Sequence, residues 1–315
     1  MSERRLPTDF FTRDEIARLR RLSPWRSWWL IVHCWGTILT TWTIVAVWTN
    51  PFTVALGVLV IGCRQLGLGI IGHDGAHHLL FKNRKLNDWV CEWLLNRPML
   101  GASIVPYRNY HLTHHRYTQQ PNDPDLKLSA PFPITRKSFV RKVVRDLSGQ
   151  TGLKQRAALI RGAFGKAGEP WSKRIAGGAR RLGPNLAINA VFFGGFALTG
   201  HWYLYLVLWV LPALTWEQLI SRIRNIGEHA AVPDNDDRLR NTRTTLANPL
   251  ERAFVAPYFV NYHLEHHLIV SCPCYRLKEA HRLLVARGYG PQMELARSYP
   301  EMLRRAVSKP EPLAA

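Results

Sequence analysis

The stretch SWWLIVHCWGTILTTWTIVAVWTN, from Ser27 to Asn50, contains no Asp, Glu, Lys or Arg. It is followed at once by PFTVALGVLVIGCRQLGLGIIG, Pro51 to Gly72, in which Arg64 is the only charged residue. A membrane-spanning helix needs about 20 mostly apolar residues. These two stretches therefore predict two spans joined by a tight turn at Asn50-Pro51, which together form a helical hairpin over residues 27–72.

A second apolar block predicts another hairpin, over residues 185–216. It reads NLAINAVFFGGFALTG, Asn185 to Gly200, and then HWYLYLVLWVLPALTW, His201 to Trp216. The turn between its two halves, at Gly200-His201, carries no charge. The fold class that we expect is an all-α integral membrane protein with four transmembrane helices in two hairpins. The intervening polar segments would form a helical cap, and residues 1–315 would make a single domain.

The positive charge is confined to the segments between the predicted spans. The chain has a formal net charge of +20, and of its 42 Lys and Arg residues only Arg64 lies inside a predicted span. Lys and Arg accumulate on the cytoplasmic side of membrane proteins. We therefore expect residues 1–26, 73–184 and 217–315, and so both termini, on the cytoplasmic face of a multi-pass protein, in the inner membrane of a bacterium. This distribution explains the charge without nucleic acid as a partner.

Three smaller features complete the outline. In FTRDEIARLRRL, Thr12 and Glu15 match a capping box at the start of an interfacial helix. Residues 162–183 are Gly-rich and basic, which predicts a mobile linker. The five cysteines contain no C-x-x-C pair and indicate reduced thiols rather than a disulfide framework.

Three histidine boxes lie in the segments predicted to be cytoplasmic. They are HDGAHH from His73, HLTHH from His111 and HLEHH from His263, and NIGEH adds His229 just after the fourth span. By chance one H-x-x-H-H is expected in about one of fifty chains of this composition, and here there are two. Residues three and four apart share a helix face, so each box can present several imidazoles to one place.

The number of imidazoles indicates two metal ions. Imidazole suits Zn, Cu, Fe and Ni, and nine ligands are too many for one ion but fit two at four or five each. The candidates are His73, His77, His111, His114, His115, His229, His263, His266 and His267. His78 is an alternative to His77, which helical spacing favours. Carboxylates are expected to orient the imidazoles, and the candidates are Asp74, Glu228 and Glu265, with weaker cases for Asp123 and Asp125.

Boxes of this composition and order, placed relative to four spans in this way, resemble those of the membrane fatty acid desaturases. The resemblance covers roughly residues 25 to 285. It implies that the nine histidines bind two non-haem irons, with His229 as a direct ligand and Asn225 reaching one iron through water. It also implies O₂ as co-substrate and a cis double bond as product, in an acyl-lipid or acyl-thioester substrate that is drawn from the bilayer.

Electrons for this reaction would have to come from another protein. The chain has no H-P-G-G haem motif, no dinucleotide-binding glycine fingerprint and no ferredoxin-like run of cysteines. A separate ferredoxin or cytochrome donor is therefore expected to dock on the cytoplasmic face.

Two other functions stay open at this point. The first is a hydroxylase or ketolase of the same superfamily, acting on a carotenoid or another lipid, because box spacing does not fix the outcome of the oxidation. The second is a metal transporter with a histidine-rich sensor, although transporters place polar ligands near the bilayer midplane. The predicted spans hold few polar groups, among them Arg64 and Gln65. These two either contact a polar part of the substrate, brace the histidine cluster from below, or serve only in snorkelling or structural hydrogen bonds.

Overall fold

The computed structural model describes residues 5–310, which are mostly helical with almost no sheet. The helices of the first half of the chain are α1 Arg13–Leu19, α2 Pro24–Val47, α3 Pro51–Ala76, α4 Arg84–Val90, α5 Ile104–Tyr117, α6 Leu126–Ser129, α7 Arg136–Leu147 and α8 Gln150–Ala163. Those of the second half are α9 Trp171–Leu198, α10 Trp202–Tyr205, α11 Leu211–Leu214, α12 Trp216–His229, α13 Pro249–Phe254, α14 His263–Leu268, α15 Cys274–Ala286 and α16 Tyr299–Ala306.

Short irregular turns join these helices. Two π-helical segments, Cys91–Asn96 and Leu206–Val210, continue α4 and α10. A two-stranded parallel sheet pairs β1, Thr244–Thr245, with β2, Leu295–Ala296, and brings the C-terminal region beside the third histidine box.

The first hairpin forms as the sequence predicts. Asn50 caps α3, because its side-chain oxygen accepts hydrogen bonds from the backbone N–H of Phe52 at 3.0 Å and of Thr53 at 3.1 Å. Pro51 occupies the first turn, where a missing N–H costs nothing. The chain therefore reverses at Asn50-Pro51 and α3 packs antiparallel against α2.

Within the described residues, three helices are long and apolar enough to cross a membrane: α2, α3 and the nearly continuous run Trp202–His229. The third predicted span lies in α9, whose first half carries Lys173, Arg174, Arg180 and Arg181. Four spans in two hairpins therefore remain a prediction.

The linker predicted over residues 162–183 is wrong for most of its length, because α9 already begins at Trp171. Gly178 explains the difference. It lies against the ring of Phe164, where a Cβ atom would come within 2.6 Å of Cε1, so the glycines permit close helix packing here rather than mobility.

The C-terminal half of α3 lies at the centre of the molecule, and nearly every residue from Ile61 to Ala76 is buried. Its two polar residues within the bundle brace neighbouring segments. Arg64 donates to the carbonyl of Ala253 at 2.6 Å, and Gln65 donates to the carbonyl of Trp209 at 2.8 Å. These contacts are structural hydrogen bonds, and Gln65 also lines the cavity beside the histidine groups.

The segment between α12 and β1 packs on the C-terminal end of α12 through Arg243. Arg243 is almost completely buried, forms an ion pair with Glu294 at 2.9 Å and donates to the carbonyl of Ala230 at 3.0 Å. It thereby satisfies carbonyl groups that the end of α12 leaves without intrahelical partners.

Helix α1 begins with the predicted capping box of Thr12 and Glu15, and it docks on α15 through an ion pair between Arg18 and Glu279 at 2.7 Å. All five cysteines are free and buried.

Candidate metal centre

Nine imidazoles from four helices converge in two groups at the C-terminal end of α3. The first group holds His73, His77, His111, His115 and His266, and the second holds His114, His229, His263 and His267. In each group the candidate ligand atoms all lie within 4.8 Å of one another. The structure thus brings together the nine histidines that the sequence selected and divides them five and four.

The two H-x-x-H-H boxes are split between the groups rather than kept whole. In α5, His111 and His115 point into the first group while His114 points into the second. In α14 the division is reversed, since His263 and His267 enter the second group and His266 enters the first. The outer, i,i+4 pair of each box shares a face, and the histidine at i+3 reaches across to the other group. The two helices therefore exchange one ligand each.

The spacing of the ring nitrogens fits a bound metal. In the first group, the Nε2 atom of His111 lies 3.0 Å from that of His77 and 2.9 Å from that of His115. In the second group, the Nε2 atom of His263 lies 2.9 Å from that of His229 and 3.1 Å from that of His267. Two ligand nitrogens at right angles around a metal with bonds of about 2.1 Å are about 3.0 Å apart.

The donor set supports the same conclusion. The Nε2 atom of His73 is buried and has no hydrogen-bond partner among the described residues. A buried polar atom without a partner is costly, and a metal ion would use its lone pair. Buried imidazoles without cysteine neighbours suit iron, copper, nickel or zinc, so the residues present fit the two irons that the family resemblance implies.

Burial keeps these imidazoles in the form that binds metal. The pKa values of His77, His111 and His115, and equally of His263, His266 and His267, lie well below the ordinary 6.5, chiefly because burial disfavours the charged ring. The neighbouring imidazoles depress them further. At neutral pH each ring is therefore uncharged and has a free lone pair on one nitrogen.

Asp123 makes the closest carboxylate contact to a box histidine. Its Oδ1 atom lies 2.8 Å from Nδ1 of His114, and both side chains are buried. The backbone N–H groups of Gln119 and Asp125 donate to the same carboxylate and fix it. With the proton held at Nδ1, the Nε2 atom of His114 is available to a metal. The sequence placed Asp123 among the weaker candidates because its position in a loop gave no sign of this contact.

The other candidate carboxylates lie farther from the rings. Asp74 is 3.9 Å from Nδ1 of His73 and accepts the backbone N–H of Cys274 at 2.8 Å. Glu228 is 3.5 Å from Nδ1 of His263 and forms a bidentate ion pair with Arg224. Their roles in orienting the imidazoles stay predictions.

Glu265 and Asp125 were expected to orient box imidazoles, but their carboxylates mainly contact other residues. The carboxylate of Glu265 contacts Thr244 and, at 2.6 Å, Nδ1 of His281, neither of which belongs to a group. Glu265 therefore anchors α14 instead of orienting a box imidazole directly. Asp125 accepts from Tyr110 and approaches His114 only to 3.8 Å.

Two contacts to this centre escaped the sequence analysis. The Oγ1 atom of Thr118 lies 3.1 Å from Nδ1 of His267, and the side chain of Gln119 donates to the carbonyl of His229 at 2.6 Å. Thr118 stands one helical turn after His114, a spacing that could have indicated it. Gln119 adopts a positive φ of 63°, which nothing in the sequence announces.

His78 and Asn225 also have clear positions. The backbone of His78 turns to a φ of 58°, and its ring lies 3.5 Å from Asp88, outside both groups. Geometry therefore selects His77, which the sequence favoured. Asn225 lines a cavity of about 470 Å³ together with His229 and His263, on the side of the second group.

The comparisons with known proteins agree with this geometry. The family model for fatty acid desaturases matches residues 49–296. The chain belongs to the fatty acid desaturase family. The matched range contains all nine histidines of the two groups. The candidate metal centre of this desaturase family member therefore lies within the region of family similarity.

Its relatives within the superfamily carry out different oxidations. The chain is 28% identical over 256 residues to the dihydrorhizobitoxine desaturase of Bradyrhizobium elkanii, covering 79% of this chain and 70% of the relative. It is 22% identical over 267 residues to the beta-carotene ketolase of Paracoccus sp. (strain PC1), covering 84% of this chain and 93% of the relative. Similarity to the Delta(8)-fatty-acid desaturase of Euglena gracilis is 30% identity over 97 residues, 29% of this chain and 23% of the relative.

Proposed function

We propose that this protein is an oxygen-dependent desaturase that introduces a cis double bond into a fatty acyl chain of an acyl lipid or acyl thioester. The observation that carries the proposal is the division of nine buried imidazoles into groups of five and four with nitrogen spacings near 3.0 Å. The first group would hold one iron and the second would hold the other. When bound, the two irons supply the reduction of O₂ and the removal of hydrogen from an unactivated methylene group.

The chain's own residues supply position, charge state and protection from water. Asp123 holds the proton of His114 at Nδ1, so that Nε2 faces the metal. Arg224 and Glu228 neutralise each other beside His263, which keeps unpaired charge away from the centre. The cavity of about 470 Å³ reaches His73, His111 and His229, and is large enough for a small-molecule substrate.

Two electrons for each turnover would come from a separate ferredoxin or cytochrome on the cytoplasmic face. The Lys and Arg residues of the cytoplasmic segments would favour a donor with an acidic surface.

A second candidate is a hydroxylase or ketolase. The beta-carotene ketolase aligns over 93% of its own length, so a chain with the same overall organisation performs a different oxidation. The same oxidant would serve both reactions, and the outcome depends on whether oxygen is transferred to carbon or a second hydrogen is removed.

The proposal is tested by expressing the wild type and His266→Ala in a host and measuring iron content and host lipids. Wild-type protein is expected to hold about two irons per chain, as two groups of ligands require. It is also expected to yield lipids that have lost two hydrogens, whereas His266→Ala loses iron and product together. A gain of one oxygen in place of the hydrogen loss would favour the hydroxylase or ketolase.

The matched control is His201→Ala, because His201 lies in the turn between α9 and α10 and belongs to neither group. This variant is expected to keep the iron and the product of the wild type. Identical lipid profiles for wild type and His266→Ala, or full activity of iron-free protein, would contradict the proposal.

A further inference from the structure

The cavity that begins at the histidine groups extends along one face of α12. The residues of α12 that line it are Glu217, Gln218, Ser221, Arg222, Arg224, Asn225, Ile226, Glu228 and His229. Among them, Glu217, Ser221, Arg224 and Glu228 recur every three or four positions and so share one face of the helix. The cavity is thus an elongated space beside α12 rather than a shallow depression at the metal centre.

Segments outside α12 add an apolar part to the lining. It includes Leu66 and Ile70 of α3, together with Leu95, Met99 and Phe132, beside polar residues such as Gln65 and Asn96. The apolar part suits a hydrocarbon chain, while the polar wall along α12 offers polar contacts.

Most charged groups on the polar wall already have a partner of opposite charge. Arg222 forms an ion pair with the buried Asp146 at 2.5 Å, and Arg224 forms one with Glu228 at 2.7 Å. These pairs leave no net charge for a ligand to neutralise.

Arg156 of α8 and Glu217 of α12 differ from these pairs. Both line the cavity at the end remote from His229, and within residues 5–310 no ion pair reaches either of them. In the described part of the chain, the Glu217 carboxylate accepts one hydrogen bond, from the neighbouring side chain of Gln218 at 2.6 Å. Arg156 and Glu217 attract each other across the cavity but form no direct ion pair among the described residues, so a ligand with both charges could bind between them.

The distance between the two ends is consistent with a single extended chain. Glu217 and His229 are twelve positions apart in one helix, which corresponds to about 18 Å along its axis at about 1.5 Å per residue. An extended chain advances about 1.2 Å per bond, so about fifteen bonds would connect the two ends.

We infer that the cavity binds a single-chain amphiphile with a zwitterionic head group, whose anionic part binds Arg156 and whose ammonium group binds Glu217, while its chain extends to the histidine groups. The guanidinium fork of Arg156 suits a carboxylate or phosphate, and charge-assisted hydrogen bonds are the strong ones. This inference rests on the proposed function for its reacting end, and it adds the class of substrate.

The test measures binding, which does not require iron. Dissociation constants are determined on the full-length protein in nanodiscs, from tryptophan fluorescence, for three probes with sixteen carbons: 2-aminohexadecanoate, hexadecanoate and hexadecylamine. Lysophosphatidylethanolamine with a sixteen-carbon chain is the fourth probe, and it distinguishes a phospholipid head from an amino-acid head. At least one of the two zwitterions is expected to bind about tenfold or more tightly than hexadecanoate and hexadecylamine.

Variants assign the two charges separately. Arg156→Gln is expected to remove the advantage of the zwitterion over hexadecylamine, and Glu217→Gln its advantage over hexadecanoate. Arg156→Lys keeps the charge and should retain part of the preference, which also covers the case in which Arg156→Gln does not fold. Lys154→Gln, an exposed position on the same helix, and Glu169→Gln, in the loop after α8, are the matched controls and should bind as the wild type does.

The outcomes separate this inference from the proposed function. Equal affinity of the wild type for all four probes, or an unchanged preference in both Arg156→Gln and Glu217→Gln, overturns the inference. Protein that binds iron and desaturates host lipids yet shows no preference for a zwitterion leaves the proposed function intact and removes the inference alone. Protein that prefers zwitterionic head groups but never holds iron supports the inference and contradicts the proposed function.

Discussion

Two adjacent histidines, His77 and His78, have different environments because of a single backbone turn. His77 closes α3 with a φ of −86° and directs its ring into the first group. His78 adopts a φ of 58°, in the left-handed region that non-glycine residues rarely occupy, and its ring turns towards Asp88. A difference of one position in the chain therefore decides which imidazole joins the group.

This difference gives a paired prediction. His77→Ala is expected to lower the iron content substantially, because it removes one of five nitrogens from the first group. His78→Ala is expected to leave the iron content near the wild-type value. Iron analysis of both purified variants checks the prediction, and equal loss of iron in the two would show that the group is assigned wrongly.

At the scale of elements, the close approach of α3 to the segment after α4 sets the position of the first box. A Cβ atom on Gly75 would lie 2.0 Å from the Sγ atom of Cys91. Real Cβ atoms cannot occupy such a position, so the buried Cys91 side chain would have to rotate, or α3 or the Cys91–Asn96 segment would have to move. Gly75 lies between His73 and His77, and any such movement would displace both rings.

We therefore predict that Gly75→Ala destabilises the protein by about 1–3 kcal/mol, as overpacked substitutions do, and lowers its iron content. The matched control is Gly36→Ala in α2, where a Cβ atom meets nothing within 4 Å. That variant should be neutral or slightly stabilising, since Ala favours helix more than Gly does. Thermal unfolding in detergent measures both, and equal melting temperatures for the two variants would refute the packing argument.

At the scale of the whole molecule, the burial of many neutral imidazoles makes the stability of the metal-free protein depend on pH. The folded-state pKa values of His111, His115 and His266, for example, lie well below the ordinary 6.5. The unfolded chain then binds more protons than the folded chain at pH values below about 6.5. Stability is fully present above that pH and falls as the pH decreases, by up to about 1.4 kcal/mol per pH unit for each such group.

The expected result is a steep decrease in the melting temperature of chelator-treated protein between pH 7.5 and 5.5. Carboxylates with lowered pKa values, such as Glu301, contribute only at lower pH, because their ordinary value is 4.5. The iron-loaded protein should show a smaller decrease over the same range, since bound metal competes with protons for the ring nitrogens. If the melting temperature of the metal-free protein did not change between pH 7.5 and 5.5, the assignment of neutral imidazoles would be contradicted.

The sequence by itself predicted the helical class, the first hairpin and the nine histidines that the structure brings together. These are local properties. A run of apolar residues can be recognised in the sequence alone, and the i,i+3 and i,i+4 spacing of histidines follows from the helix repeat. The capping box at Thr12 is local for the same reason.

Only the tertiary structure decided how the nine imidazoles divide, and that α5 and α14 exchange one ligand each. It also decided that Asp123 holds His114 while Glu265 turns to His281, and that Arg156 and Glu217 face the same cavity. These facts depend on contacts between residues far apart in the chain and on the turn at His78, where packing around α3 overrides local preference. Helical spacing tells which side chains share a face, but only the packing of the helices determines what that face meets.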